Sequence, residues 1–471
     1  MTEWLPVLTP GRHGGARRQT KHRVLTEAII ADIDAGRLTR GQQLPAHREL
    51  ALRLGLSART VSASYKEVER RGYLRSEAGR GTFVKGRIAE GGGCRLDMRP
   101  SGSFDLSVVR AVFTERHDAA SRTLLAAMSQ ADNTPWMQPC RPVAGLETHR
   151  AVGSAWLAGL GLPDVAPDRI LITNGTTHGI FLALATVVRS DDLVVTEALT
   201  DHGVIGLFNV LGFTLCGLPT DREGILPEAF EEACRTAKVK ALVCTPTFTN
   251  PTGALMGAAR RRRLAEVARA NNVYIIEDEV YRPLIEDDLP SVSSFAPELG
   301  FFCTSFTKSV MTGLRTGYLV VPPHFAIRTA SVLRVTCWSA VPAVAEMAAR
   351  WVEDGIADQL LEVQRSEIRR RQELVGAILG AHVVGGHPLA LSAWLRVPGY
   401  WTEEGLVRAL RERGVAATSS EPFVVEAGEP PNALRICIGG TLTLEALREA
   451  LEIIAGTFAQ YPGINDACFI A

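Results

Sequence analysis

Between Ile170 and Val321, short unbroken apolar runs recur with helix-length stretches between them: Ile170-Leu171-Ile172, Leu193-Val194-Val195, Ala241-Leu242-Val243, Val273-Tyr274-Ile275-Ile276 and Tyr318-Leu319-Val320-Val321. A strand wetted on one face alternates apolar and polar residues, whereas one buried on both faces is apolar throughout. Strands of the second kind separated by helices dictate an α/β fold, a mostly parallel sheet with helices on both sides. Ligands of such sheets meet the carboxyl ends of the strands.

The 471 residues exceed what one core organises, so two or three units are expected. Residues 87–104, with Gly91-Gly92-Gly93 and Gly102, lack periodicity and read as a linker. They separate a front unit, 15–86, from a body, 105–471, whose small subdomain is expected from about 330. No apolar run reaches the ~18 residues of a membrane helix, and Met1-Thr2-Glu3-Trp4 does not open like a secretory signal. A cytoplasmic protein with no membrane partner is expected. Nine cysteines, an odd number without a CxxC pair, argue against a disulfide frame or a zinc site.

Formal charge is zero overall but uneven: residues 1–90 hold 17 Lys and Arg against 9 Asp and Glu, a net +8 that the remainder balances with −8. A basic front suits a polyanion. Leu25, Ala28, Ile29 and Ile33 mark a first helix ending at Gly36; Pro45 opens a second, with Leu50, Ala51 and Leu54 inward, before Gly55 turns the chain. Ser57 caps a third helix, Ala58 to about Arg70, with Val61, Tyr65 and Val68 inward and Arg59, Thr60, Ser62 and Lys66 outward. This is a helix-turn-helix whose last helix enters the major groove of double-stranded DNA. Tyr73-Leu74 and Thr82-Phe83-Val84, joined through Gly79-Arg80-Gly81, read as a two-stranded wing with Arg80 at its tip for the minor groove.

Lys308 is the only lysine after residue 240 of a chain that uses 45 Arg and 6 Lys. A site needing only charge takes Arg here, whereas an amine that condenses with a carbonyl must be Lys. Around it in sequence stand Gly175-Thr176-Thr177 at a helix start, Asn250-Pro251-Thr252-Gly253, Asp278 with Tyr281, Ser305 and Arg315, each near a strand end. Together they offer what pyridoxal 5′-phosphate requires: an amine, a carboxylate for the pyridine nitrogen, donors for the ring hydroxyl, and a phosphate cup. By contrast, Arg260–Arg263 is expected to be a solvated helix face rather than a nucleic-acid patch, and His382 and His387 to be packing residues.

Leu44-Pro45-Ala46-His47-Arg48-Glu49-Leu50-Ala51, Gly72-Tyr73-Leu74 and Gly81-Thr82-Phe83-Val84 make residues 20–85 resemble the winged helix of GntR-family regulators. The resemblance implies a DNA contact from Arg48, which joins Arg59, Thr60 and Ser62 of the reading helix and Arg80 and Gly81 of the wing as the expected DNA-binding set. Where the family commonly places Arg directly after the Ser, this chain has Ala58, with Arg59 next.

The body resembles a PLP-dependent transferase of fold type I, with large and small subdomains, through Asn174-Gly175-Thr176-Thr177-His178, Asn250-Pro251-Thr252-Gly253, Asp278, Tyr281, Ser305-x-x-Lys308, Arg315 and Leu434-Arg435-Ile436. That implies a Schiff base on Lys308, Asp278 on the pyridinium, and Asn250 and Tyr281 on the ring hydroxyl. It also implies phosphate held by Ser305, Arg315, Gly175, Thr176 and Thr177, and a substrate or effector carboxylate on Arg435. Two slots depart: Asp201-His202 stands where a ring-stacking aromatic is usual, and Cys140 stands near a usual tyrosine, leaving His202 or Trp136 as substitutes. The two matches together resemble MocR-type (PdxR-like or GabR-like) regulators. They imply a head-to-tail homodimer that senses a small amine, an amino acid or a B6 vitamer and acts on promoter DNA. A working aminotransferase carrying a DNA-binding module stands as the alternative.

Overall fold

The computed structural model describes residues 4–6, 21–34, 37–38, 42–70, 73–77, 81–84, 103–130, 134–137, 142–162, 165–425 and 431–462. The chain forms two compact units, Met1–Asp97 and Met98–Ala471. The expected linker lies almost wholly outside the described residues, as do Gly36, Arg80 and Cys140.

In the first unit, α1 (Lys21–Asp34), α2 (His47–Leu54) and α3 (Ala58–Arg70) enclose Leu25, Ile29, Ile33, Leu50, Val61, Tyr65 and Val68. Each side chain so buried contributes ~1.5–3 kcal/mol. α2 begins at His47, two residues later than expected from Pro45, and ends at Gly55, whose φ of 61° lets its N–H reach the Ala51 and Leu52 carbonyls. Tyr65 buries its ring and satisfies its hydroxyl on the Pro45 carbonyl at 3.0 Å. The wing is β1 (Leu74–Glu77) antiparallel to β2 (Gly81–Val84), with Leu74 opposite Val84. Tyr73, expected in the first strand, falls just before it.

In the second unit a seven-stranded sheet runs in the order Ile170–Thr173, Gly317–Val320, Gly300–Ser305, Tyr274–Asp278, Val239–Cys244, Leu193–Glu197, Thr214–Leu218. Only Gly317–Val320 runs against the rest. Helix Thr176–Val187 packs Ile180, Ala183 and Leu184 on one face against Leu171, Ile276 and Phe301, while Leu264, Ala265 and Ala268 of helix Ala258–Asn271 cover Leu242 and Ile275 on the other. Burial on both faces explains the unbroken apolar runs. A second, antiparallel sheet, ordered Val383–Gly385, Ser392–Arg396, Ala433–Cys437, Thr418–Ser419, shares its core with helices Ile356–Leu379, Glu403–Glu412 and Leu444–Phe458. Among the described residues no helix is long and apolar enough to cross a membrane.

The structure overturns one expectation. Arg260–Arg263 is not a solvated face throughout: Arg261 is fully buried, donating to Glu279 at 2.6 Å and to Thr247 and the Met256 carbonyl. Its neighbours are engaged too, Arg260 with Asp221, Arg263 with Glu231, and Arg262 over the Phe295 ring. A guanidinium is excluded from a core only while unpaired, and the two carboxylates Glu277 and Glu279 at the sheet's end supply the pairing.

Candidate cofactor and effector site, and the DNA-reading helix

In the first unit the Ser57 hydroxyl accepts the Thr60 N–H at 3.1 Å and lies 2.8 Å from the Thr60 hydroxyl, so Thr60 belongs to the cap as well as to the outer face. Arg48 and Arg59 are exposed and Ser62 half-buried. Gly81 opens the second wing strand with φ 117°, and a Cβ there would meet the Gln43 amide at 2.5 Å.

The pocket is assembled by sheet register. Gly317 pairs with both Ser305 and Thr173, so the ends of three strands and the Gly175 turn meet at one edge. Gly175, with φ 92°, precedes helix Thr176–Val187 without a side-chain cap, leaving first-turn N–H groups unanswered. A Cβ there would stand 3.0 Å from Arg315 Nη2, so glycine is what lets the guanidinium close over this helix start. Thr176 donates to the Ser305 hydroxyl at 2.9 Å, which in turn donates to Thr307 at 3.1 Å. Thr177 is exposed beside them.

Asp278, the last residue of its strand, is 8% exposed. One oxygen accepts the Val280 N–H at 3.2 Å. Burial first, then the nearby Asp201 carboxylate, pushes its carboxyl up to about 8. The Lys308 ammonium is held below its usual range by burial, against the opposing pull of Asp201, and donates to the Val109 carbonyl at 2.5 Å. Burial, and again Asp201, raises the Tyr281 hydroxyl.

Asn250 links the end of the seven-stranded sheet to the antiparallel sheet of the same unit. Its amide N–H donates to Asp201 at 2.5 Å, and its oxygen accepts from Arg435 Nη1 at 3.0 Å. Arg435, on the inner strand Ala433–Cys437, is 3% exposed, lies over the Phe423 ring at 4.6 Å and also donates to the Ser107 carbonyl. No carboxylate pairs with it among the described residues, and its Nε has no partner. Asp201 caps helix His202–Leu211 through the Gly203 N–H at 2.7 Å. Burial works to raise its carboxyl, but His202, Gly203, Asn250 and Arg435 together hold it below the usual carboxylate value.

All nine expected pocket residues, and Arg435, thus lie at or beside this edge. Of the two substitutes for the stacking aromatic, His202 stands 3.9 Å from Asp201 and turns its ring edge to Phe423 at 6.1 Å, and Trp136 is buried with an unpartnered Nε1 among the described residues. The contributions of Ser107 and Val109 come from main-chain carbonyls and leave no side-chain signal in sequence.

This donor set fits pyridoxal 5′-phosphate: an amine of lowered basicity, a carboxyl lacking a cation, a helix-start cradle that a Cβ would fill, and a buried guanidinium with an orphaned N–H. Fold and site together define a pyridoxal-phosphate-dependent, aminotransferase-type domain behind a winged helix. Two family models match the chain, "Aminotransferase class I and II" over residues 144–454 and "Bacterial regulatory proteins, gntR family" over 22–84. The chain belongs to the aminotransferase class I and II family and carries a gntR-family unit in front, the layout of a MocR-type transcriptional regulator.

Transcriptional regulators and aminotransferases both stand among the proteins it is similar to. The uncharacterized HTH-type transcriptional regulator YdeF of Bacillus subtilis is 27% identical over 92% of this chain and 93% of its own. The HTH-type pyridoxine biosynthesis transcriptional regulator PdxR of Corynebacterium glutamicum is 25% identical over 76% and 78%. An archaeal alanine:glyoxylate aminotransferase superposes with a TM-score of 0.70 at 20% identity, covering 76% of this chain and 90% of that one, a likeness of fold. The protein is a DNA-binding transcriptional regulator with pyridoxal 5′-phosphate as its cofactor.

Proposed function

We propose that the regulator senses a small amine carrying a carboxylate, an amino acid or a close relative of one. The observation that carries this reading is Arg435, a buried cation with no carboxylate partner among the described residues and one N–H unspent. A guanidinium so placed matches the two-pronged geometry of a carboxylate. On this reading Lys308 carries the cofactor and Asp278 faces its ring nitrogen. Asn250 and Tyr281 reach the ring hydroxyl, and Ser305, Arg315, Gly175, Thr176 and Thr177 take the phosphate. The bound cofactor supplies an aldehyde that exchanges one amine for another. The chain's own part is to keep Lys308 able to give up a proton, which burial does, and to seat the incoming carboxylate.

Promoter DNA is read by Arg48, Arg59, Thr60 and Ser62, with Gly81 shaping the wing. Arg80 lies outside the described residues and joins them from sequence alone. The reading includes a cytoplasmic, head-to-tail homodimer, testable by sedimentation.

The deciding experiment titrates cofactor-loaded protein with amino acids and with the matching amines that lack a carboxylate, following absorbance and operator binding together. Amino acids are expected to shift both, and Arg435→Met to remove the preference for them. Borohydride reduction should fix the cofactor to the Lys308 peptide, and Lys308→Ala should abolish that. Sustained turnover of an amino acid with 2-oxoglutarate, without any effect on DNA, would instead favour a working aminotransferase.

A further inference from the structure

The segment just after the linker lies across the pocket. Phe104 and Leu106 donate to the Gly414 and Ala416 carbonyls, and Leu106 accepts from the Cys437 N–H of the antiparallel sheet. Ala111 then donates to the Thr312 hydroxyl at 2.9 Å and Val112 to Gln364 at 2.8 Å. Between these anchors Asp105 folds the chain into a turn: one oxygen accepts the Ser107 N–H and hydroxyl at 3.1 and 2.7 Å, the other pairs with Arg110 at 2.9 Å. The turn aims two carbonyls inward, Ser107 onto Arg435 and Val109 onto Lys308, each at 2.5 Å.

We propose that residues 105–112 are an internal occupant of the two pocket cations, displaced when the site fills, and that this displacement carries occupancy into the chain leading to the winged helix. The inference rests on the roles given above to Lys308 and Arg435. An amine committed to the cofactor and a guanidinium committed to a carboxylate no longer donate to Val109 and Ser107. The turn then keeps its outer anchors and the Thr418 hydroxyl, which donates to the Ser107 carbonyl at 3.1 Å, but loses both cations. A single bond to a neutral carbonyl is the weaker partner for each: the amine's alternative is a covalent imine, and the guanidinium's is a carboxylate taken through two parallel bonds. Upstream, the next residues along the chain lead to the DNA-reading unit, so any loosening here alters where that chain starts.

Hydrogen exchange on the full-length protein tests this, with pyridoxal 5′-phosphate and with N-(5′-phosphopyridoxyl)-L-leucine, which adds a carboxylate to ring and phosphate. Binding of each probe is measured separately by thermal shift. Exchange over 104–112 is expected to quicken about tenfold with each probe, the scale of losing one charged hydrogen bond: the cofactor's aldehyde takes the Lys308 amine, whereas the adduct, a reduced secondary amine, leaves Lys308 free and engages Arg435 through its carboxylate. Binding with unchanged or slowed exchange overturns this inference while leaving the proposed function standing; failure of the adduct to bind overturns both. Asp105→Ala, which frees the turn without touching the pocket, is expected to tighten the adduct several-fold and to blunt its effect on operator affinity. Unaltered adduct affinity in that variant also overturns the inference.

Discussion

Replacing Asp278 with Asn tests the electrostatics of the pocket at their most perturbed point. The carboxyl rises from an ordinary 3.8 to about 8 in the cofactor-free protein. The folded state therefore binds this proton more tightly than the unfolded chain does. Stability from this group is fully present below pH 4 and is lost as pH rises toward 8. At about 1.4 kcal/mol per pH unit, and with the group half-titrated near pH 8, moving from pH 6 to pH 8 costs the cofactor-free protein about 2 kcal/mol. Asn carries no proton to lose, so Asp278→Asn should be flatter than the wild type by that amount, a few degrees in thermal midpoint. Comparing the two proteins at both pH values cancels other titrating groups, Glu277 included. Adding cofactor, whose ring nitrogen gives the carboxylate a cation, should flatten the wild type alone. Parallel curves for wild type and variant without cofactor would refute the reasoning.

Three further outcomes follow from the geometry. Gly175→Ala places a Cβ against Arg315 at a φ of 92°, a strain of ~1–3 kcal/mol. It should weaken pyridoxal 5′-phosphate about tenfold while scarcely affecting unphosphorylated pyridoxal, and equal losses by spectral titration would deny a phosphate cradle. Arg261→Met strands Glu277 and Glu279 in the core and should cost about 3–5 kcal/mol by denaturation; an unmoved midpoint would return Arg261 to the surface role expected from sequence. Arg59→Ala should reduce affinity for the operator by ~1–3 kcal/mol, read by fluorescence anisotropy at fixed salt, with little loss on unrelated DNA.

Much of this protein was legible in its residues. The apolar runs from Ile170 to Val321 specify strands buried on both faces because no alternating pattern is compatible with them. The Ser57 cap and the inward triad Val61, Tyr65 and Val68 specify the reading helix through local hydrogen bonding and period alone. Lys308 stands out because Arg cannot replace a nucleophilic amine. These are properties of residue type and spacing, which a linear chain carries intact.

Other features depended on which distant segments meet. The reversed strand Gly317–Val320 looks in sequence like its parallel neighbours, since both kinds are apolar when buried. Arg261 reads as one of four surface arginines until Glu279, eighteen residues on, closes against it. Asp201 appears as a missing aromatic, whereas in the fold it caps a helix, accepts from Asn250 and sets the charge felt by Asp278 and Lys308. The carbonyls of Ser107 and Val109 reach cations 328 and 199 residues away. Spacing along the chain determined the secondary elements and the list of reactive side chains. Only the tertiary structure decided their partners and protonation, because burial and Coulomb interactions depend on distance through space.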